Sequence, residues 1–434
     1  MSGAREGGWR KRILLFLISQ CVTLFGSTLV QMAMVWYVTL ATASGAWVGA
    51  FSVVSYLPQF LVSFAAGAWA DRYSRKALIL GADLGIAAVT LGMIFAMPFL
   101  EGAPQMLWAL LVLAALRSIG TGIQTPAVNA VIPTLVPEGQ RMRFNGIHAT
   151  LQSIVQFAAP AAAGAVLTFS SLRTTLWLDV LTAAIGVGIA ALIPIARTKR
   201  SEAAGSVLRE MKAGMAYALS DREIRKILAV YGLSVFFCVP GGYLAGLFVG
   251  RFFGNTYGNL AAVELVGFAG MTLGGILLGA WGGFKDKKRT LALGCLAFGV
   301  AGVLMGISSD FRIYLALMAL YGVALTTIQT TATTLLQEKA RPAMLGRVFG
   351  LLSALYAGFL PAGMAIFGPM ADRISLRWLM IASGLAAVLQ TGWIGRGRAF
   401  RKPREAIAPM RLPKRVRGEN AGSPGPRRPA RRGR

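Results

Sequence analysis

Four ionisable side chains lie inside long apolar stretches of this chain, where a charge is costly unless it has a partner or a use. Glu264 stands in the apolar segment 261–267, and an acid in such surroundings could exchange a proton or bind a cation. Arg117, Asp83 and Asp179 lie in other apolar stretches. These residue types could couple the movement of a proton to the movement of a solute.

The chain lacks the motifs of the common enzyme classes. It contains no P-loop, so ATP is not expected to drive it directly, and no serine nucleophile elbow. Cys21, Cys238 and Cys295 all lie inside apolar stretches and are expected to be packed free thiols. The single histidine, His148, is expected to be a hydrogen-bonded structural residue. We therefore predict no metal, no cofactor and no enzymatic activity.

Uncharged polar residues also occur in the apolar stretches, and they could line a cavity: Gln124, Asn129, Gln152, Gln156 and Gln329. Aromatic residues could supply the cavity walls: Phe236, Phe237, Tyr243 and Tyr321. An apolar cavity with few polar groups suits a lipophilic or bulky solute. The alternative is that these side chains join helices by hydrogen bonds or face lipid.

The apolar stretches that hold these residues are long enough to cross a membrane. The 434 residues are 55% hydrophobic and 14% charged, with mean hydropathy +0.61. About 20 apolar residues span a bilayer, and each span must be helical because backbone groups stay paired in lipid. We predict an all-α membrane protein with twelve transmembrane helices at 13–39, 45–70, 77–98, 105–132, 144–169, 174–196, 227–250, 258–284, 290–308, 311–336, 344–370 and 376–395.

These spans give each ionisable residue a structural alternative. Arg117 could form an ion pair that holds helices together. Asp83 lies near the start of the third span and could pair at headgroup level, whereas Asp179 lies near an end of the sixth and could be solvated. Glu264 lies about two turns into the eighth span and is the first candidate for a proton-titrating or cation-binding group.

The basic residues predict the orientation of the chain. Nearly all of the 44 Lys and Arg residues fall on the N-terminal arm, the C-terminal tail and alternate loops. The remaining loops hold only Arg173, Arg251, Arg312, Arg373 and Arg377. The positive-inside rule therefore predicts that both termini and the central loop are cytoplasmic.

The two halves of the chain repeat each other. Gly-Ala-Trp at 67–69 recurs at 279–281, and Pro160 in the fifth span parallels Pro361 in the eleventh. We predict an N-terminal six-helix bundle at 1–196, a linker at 197–226, a C-terminal six-helix bundle at 227–395 and a basic tail at 396–434. Two such repeats around a central cavity are a transporter architecture.

The segment 67–76 resembles the signature loop of the major facilitator superfamily, G-x-L-x-D-R-x-G-R-K, although Trp69 and Ser74 depart from it. The segment 117–145 resembles the subgroup of macrolide-efflux and enterobactin-exporter proteins. The resemblance implies that a conformational latch forms from Gly67, Asp71, Arg72, Arg75 and Lys76. It also implies that Arg117 lies near a position linked to proton coupling.

The fifth span resembles the antiporter pattern of the superfamily in part. Pro160 and Gly164 match the pattern, whereas the glycines expected upstream are absent. We expect Pro160, Gly164 and Pro361 to bend their helices.

Together these features predict a secondary transporter of the bacterial inner membrane. We expect it to be a monomer that exports a small organic molecule, such as a drug, macrolide or siderophore, by alternating access and proton antiport. The alternatives are uptake of a metabolite and a non-transporting sensor or partner protein. The tail, with fourteen basic residues, is expected to touch anionic lipid rather than nucleic acid.

Overall fold

Long helices make up the described part of the chain. The computed structural model describes residues 3–100, 102–137, 140–194, 215–218, 220–341 and 344–395. In these ranges twelve helices have 20 residues or more: α1 Gly3–Thr42, α2 Gly45–Arg72, α3 Arg75–Leu100, α4 Gln105–Leu135, α5 Arg141–Phe169, α6 Leu172–Ala191, α7 Arg222–Phe252, α8 Tyr257–Trp281, α9 Lys287–Ile307, α10 Phe311–Lys339, α11 Leu345–Arg373 and α12 Leu376–Gly395.

Eleven of these helices are long and apolar enough to cross a membrane. The twelfth, α12, has 20 residues, which at 1.5 Å per residue gives about 30 Å, the thickness of the hydrocarbon core. The predicted all-helical fold with twelve spans is therefore confirmed. The predicted linker at 197–226 and tail at 396–434 lie mostly or wholly outside the described residues.

Helix ends differ from their predicted positions where local chemistry ends a helix. The sixth helix ends at Ala191 rather than 196, because Pro194 disfavours helical backbone in the residue before it. The eighth ends at Trp281 rather than 284, because Gly282 and Gly283 adopt left-handed φ values of 72° and 74°. Hydropathy does not register these signals, since all these residues are compatible with an apolar stretch.

The seventh helix is interrupted by a π-helical turn. Residues Arg222–Cys238 are α-helical, Val239–Tyr243 form the π-turn, and Ala245–Phe252 are again α-helical. Pro240 lies in this turn and has no backbone N–H to give to an α-helical hydrogen bond. A π-turn inside an α-helix is frequent at functional sites.

The helix pairings of the first half of the chain recur in the second half. In the first half α2 packs on α4 and α3 on α6, and in the second half α8 packs on α10 and α9 on α12. The halves meet where α2 packs on α11 and α5 on α8. Some of these contacts are close: the backbone of Gly270 in α8 leaves no room for a Cβ atom beside the carbonyl of Ala319 in α10. Small residues of this kind let membrane helices approach closely.

The bundle has two chemically different ends. The odd-numbered helices begin at one end, which we call the basic end because the predicted Lys- and Arg-rich loops lie there. The even-numbered helices begin at the other, which we call the opposite end. Its connections include Ala43–Ser44, between α1 and α2, and Ile374–Ser375, between α11 and α12.

Candidate functional site

A cavity of about 450 Å³ lies between the two halves. Helices α1, α2 and α5 line it from the first half, and α7, α8, α10 and α11 from the second. Five tyrosines contribute to its wall: Tyr56, Tyr231, Tyr243, Tyr321 and Tyr356. Its volume falls within the range of pockets that bind drug-sized ligands.

Glu264 is the only charged residue among the described residues that line this cavity. Apolar neighbours in the lining include Phe268, Met271 and Met318. A single carboxylate in a wall of aromatic and thioether groups favours a cationic, lipophilic ligand, because rings and a negative charge both attract a cation. It could equally hold a proton.

The π-turn of α7 shapes one wall of the cavity. The hydroxyl of Tyr321 donates to the backbone carbonyl of Cys238, just before the turn, at 3.3 Å. Tyr243, the last residue of the turn, shares a hydrogen bond of 2.6 Å with the hydroxyl of Tyr356 on α11. These bonds fix the orientation of three of the five tyrosine rings.

The uncharged polar candidates fall in different places. Gln156 and Gln329 line the cavity, from α5 and α10. Gln124 instead donates to Asp83, and Asn129 and Gln152 are exposed elsewhere on their helices. Of the four aromatic candidates, Tyr243 and Tyr321 line the cavity, whereas Phe236 and Phe237 are outside its lining and pack edge to face on each other.

Arg117 and Asp179 form a buried ion pair between α4 and α6. They are 4% and 1% exposed, and the guanidinium also donates to the hydroxyl of Thr90 on α3 at 2.6 Å. The alternative that Asp179 is solvated is therefore wrong: its place near the helix end does not expose it, because α3 and α4 cover it. The pair and Thr90 join three helices of the first half.

Asp83 lies in a second buried polar contact, between α3 and α4. It is 4% exposed, and its Oδ1 atom accepts a hydrogen bond of 2.7 Å from Gln124. Its Oδ2 atom is buried and has no partner among the described residues. The alternative of pairing at headgroup level is therefore not what the structure shows.

Part of the predicted latch is described. Arg75, at the start of α3, donates to the carbonyl of Ala130 in α4 at 2.7 Å, and Lys76 donates to Ala191 and Ile193 at the end of α6 at 2.6 and 2.8 Å. Both cations therefore bind carbonyls near helix C-termini, where the helix dipole favours positive charge. Side-chain positions of Asp71 and Arg72, and the surroundings of Gly67, lie outside the description.

The helix-bend candidates lie within continuous helices. Pro160 is inside α5 and Pro361 inside α11. Gly164 lies where α5 meets α8, and a Cβ atom there would stand 2.6 Å from the Cβ atom of Ala261. This glycine permits close packing between the two halves.

A cluster that sequence reasoning missed joins the halves at the opposite end. Asp372, at the end of α11, accepts hydrogen bonds from the hydroxyl of Ser44 at 2.7 Å and from the backbone N–H groups of Gly45 and Ala46 at 2.6 and 2.8 Å. Arg251 of α7 donates at 2.7 Å to Oδ1 of the same carboxylate, the oxygen that also accepts from Gly45. A repeat in the amino-acid sequence could have indicated this cluster: Ala-Asp-Arg at 371–373 repeats the Ala-Asp-Arg at 70–72 of the predicted latch.

Comparison with known proteins agrees with this architecture. The chain is 30% identical over 384 residues to macrolide efflux protein A of Streptococcus pyogenes, covering 88% of this chain and 94% of the relative. It is 23% identical over 401 residues to the multidrug efflux pump Tap of Mycobacterium tuberculosis, covering 86% and 90%.

Solved transporter structures share the fold at low sequence identity. The nucleoside transporter NupG superposes with a TM-score of 0.68 at 14% identity, covering 90% of this chain and 98% of that one. A D-xylose–proton symporter superposes with a TM-score of 0.65 at 15% identity, covering 88% and 97%. The model of the Major Facilitator Superfamily matches residues 16–363. The chain is therefore a multi-pass membrane transporter that belongs to the Major Facilitator Superfamily.

Proposed function

We propose that this protein exports lipophilic cationic drugs, macrolides among them, in exchange for protons. The observation that carries the proposal is the cavity between the halves, where Glu264 is the one charged group among the described lining residues and stands with five tyrosines. The relatives named for macrolide and multidrug efflux support export as the direction. Macrolides with an amino sugar carry one protonated amine on a large apolar body, which matches the chemistry of this wall.

Glu264 would exchange its two ligands in turn. Its carboxylate binds either the ammonium group of a drug or a proton. Each of them neutralises the single negative charge, and an unbalanced second positive charge is unfavourable in an apolar wall. A drug enters from the cytoplasm when the carboxylate is ionised, and a proton from outside displaces it after the halves have rocked. The protonated cavity then returns to the inside and releases the proton, which closes the cycle.

The exchange ratio determines which gradient drives export. When one monovalent cation leaves for each proton that enters, no net charge crosses the membrane. The pH gradient then supplies the energy, whereas a neutral drug exchanged for a proton would also draw on the membrane potential, at about 2.3 kcal/mol per charge and 100 mV. The charge state of the substrate is therefore an assayable part of the proposal.

The remaining site residues have supporting roles in this proposal. The segment 67–76 latches the cytoplasmic side, and the bundles at 1–196 and 227–395 rock as units about the cavity. Both termini lie in the cytoplasm of a bacterial cell, and the tail at 396–434 contacts anionic lipid. The Arg117–Asp179 pair holds the first bundle together, while Asp83 is a second candidate for proton exchange.

Accumulation in cells that lack their own efflux pumps tests export directly. Cells expressing the chain are loaded with a lipophilic cationic dye or a labelled macrolide, and the protein is confirmed in the membrane. We expect lower accumulation than in empty-vector cells given the same treatment, and we expect a protonophore or nigericin, but not valinomycin, to abolish this difference. Higher accumulation would indicate uptake, and unchanged accumulation of every probe would contradict the proposed substrate class.

Glu264→Gln tests the residue assignment in the same assay. The amide keeps the size of the side chain but neither ionises nor attracts a cation, so we expect export of cationic probes to fall to the empty-vector level. Glu223→Gln is the matched control, because Glu223 belongs to the same half but pairs with Lys339 at 2.9 Å near the basic end, outside the cavity lining. Normal pH-dependent export by Glu264→Gln would remove Glu264 from the mechanism.

A further inference from the structure

The cluster at the opposite end has the features of a releasable closure. Asp372 of the second half caps the N-terminus of α2 in the first half, and three groups of α2 or its cap donate to this carboxylate. A carboxylate at a helix N-terminus gains from both the free N–H groups and the helix dipole. These hydrogen bonds therefore join the halves only while the start of α2 and the end of α11 are in contact.

Arg251 reinforces this contact from α7. Its Nε atom donates to the carbonyl of Ala43 at 3.0 Å, across the interface between the halves, and its Nη1 atom donates to Ala371 at 2.6 Å. Ala43 has a left-handed φ of 48°, a strained conformation for a residue with a Cβ atom. The bond from Arg251 stabilises the loop in this conformation.

The backbones below the cluster are in close contact. A Cβ atom on Gly49 would stand 2.6 Å from the carbonyl oxygen of Met364, and one on Gly368 would stand 2.6 Å from that of Gly45. There is no room for a side chain between α2 and α11 at these positions. The opposite end is therefore closed by backbone packing as well as by the charged cluster.

The segment that supplies Asp372 resembles the segment at the far end of its partner helix. α11 ends with Gly-Pro-Met-Ala-Asp-Arg at 368–373, and α2 ends with Gly-Ala-Trp-Ala-Asp-Arg at 67–72. The start of α2 meets the end of α11, so the two helices run antiparallel and their similar segments lie at opposite ends of the bundle. Each end of the pair thus has one Asp-Arg segment and one helix N-terminus.

We propose that Asp372 and Arg251 form an outer latch, which holds the extracellular side closed and must open once in each transport cycle. This inference rests on the orientation in the proposed function, in which the opposite end faces outward. It adds two positioning residues to the cycle and assigns the structure to the state that is closed to the outside. Neither residue lines the cavity, so both act through the equilibrium between closed and open states.

Labelling of one introduced cysteine measures this equilibrium without any substrate. Cys21, Cys238 and Cys295 are replaced by alanine, and Met32→Cys supplies the reporter in the cavity wall. Intact cells are treated with a membrane-impermeant maleimide from outside. We expect Asp372→Asn and Arg251→Gln each to raise the labelling rate about tenfold, because a shift of about 1.4 kcal/mol in a two-state equilibrium is a factor of ten.

Asp310→Asn is the matched control. Asp310 also caps a helix at the opposite end. Its carboxylate accepts from the backbone N–H groups of Arg312 and Ile313 of α10 at 2.7 and 3.1 Å, so these bonds stay within the second half. We expect this variant to label like the parent. An increase in labelling rate equal to that of Asp372→Asn would show that the loss of any helix cap opens this end, and it would overturn the proposed latch.

Inverted membrane vesicles show whether the variants are folded. The reporter should label from the basic end in the parent and in every variant, with a lower rate where the outer latch is lost. Labelling of Asp372→Asn at the parent rate from both sides would overturn the proposal. Because no drug is used and labelling rather than export is measured, this result stays independent of whether the exporter hypothesis holds.

Discussion

Arg117 and Asp179 show how a buried charge is kept in the apolar part of this protein. The guanidinium contacts one carboxylate and the hydroxyl of Thr90, and both charged residues are almost fully buried. Losing one partner leaves the other charge uncompensated, whereas losing both removes the need for compensation. At this position the ion pair therefore specifies which helices meet more than it adds to stability.

We predict that Asp179→Leu lowers the free energy of unfolding by about 3 kcal/mol, because it leaves Arg117 buried without its counter-charge. The double variant Arg117→Met, Asp179→Leu should recover most of that loss. The melting temperature in detergent measures both. A double variant as unstable as the single one would show that the pair contributes more than the avoidance of an unpaired charge.

At the residue scale, the sequence predicts a place in the cavity where the depth of a residue within its helix decides that place. The position of Glu264, two turns inside an apolar helix, predicts a buried functional acid, and Glu264 lines the cavity. Gln124 was expected at the cavity but faces Asp83, because composition cannot tell which side of a helix meets a neighbour. The sequence does not single out Asp372, because it stands at a helix end, where carboxylates are common and easily solvated.

At the level of helices, close packing depends on glycines in a few specific positions. In α8, Gly270 faces the backbone of Ala319 in α10, whereas Gly275, five residues later, has open space where a Cβ atom would be. The two glycines look alike in the sequence. They differ because another helix packs against Gly270, whereas none of the described helices packs against Gly275.

We predict that Gly270→Ala destabilises the protein by about 1–3 kcal/mol, because the new methyl group must displace backbone rather than a movable side chain. Gly275→Ala is the control in the same helix and should be neutral or slightly stabilising, since alanine favours helix by up to about 1 kcal/mol. Thermal unfolding in detergent compares the two. Equal melting temperatures would contradict the close packing of α8 on α10.

Helix number was predictable from length and hydropathy, but helix interruptions were not. The span predicted at 227–250 is present as α7, but its π-turn at Val239–Tyr243 leaves no trace in the apolar pattern. Pro240 is a local signal of such a change, although proline is also found inside unbroken membrane helices here, as at Pro160. Tyr321 of α10 contacts the turn, and the apolar pattern of α7 does not reveal this contact.

At the scale of the molecule, internal repetition predicts two bundles, and the helix pairings of the first half recur in the second. Repetition could not predict where the bundles touch, because contacts across the halves depend on the conformational state. The structure shows α2 against α11 and α5 against α8, with a cavity between the halves. In the proposed transport cycle these contacts break and form again.

We predict that deletion of residues 399–434 leaves drug export unchanged, because the cavity and the interface between the halves lie within residues 3–395. The accumulation assay on cells with equal amounts of membrane-inserted protein measures this. Loss of export with normal insertion would show that the tail takes part in the cycle and would favour a partner protein that binds it.

The ion pair between Arg251 and Asp372 is about a quarter exposed on each side. Ions in solution screen such a pair, over about 8 Å at physiological salt concentration. In the proposed orientation only the outer compartment bathes this pair, so its strength would follow the salinity of the medium and not that of the cytosol. Under that proposal, moving a cell from fresh to saline surroundings would loosen the outer face of the protein before any change in the cytosol.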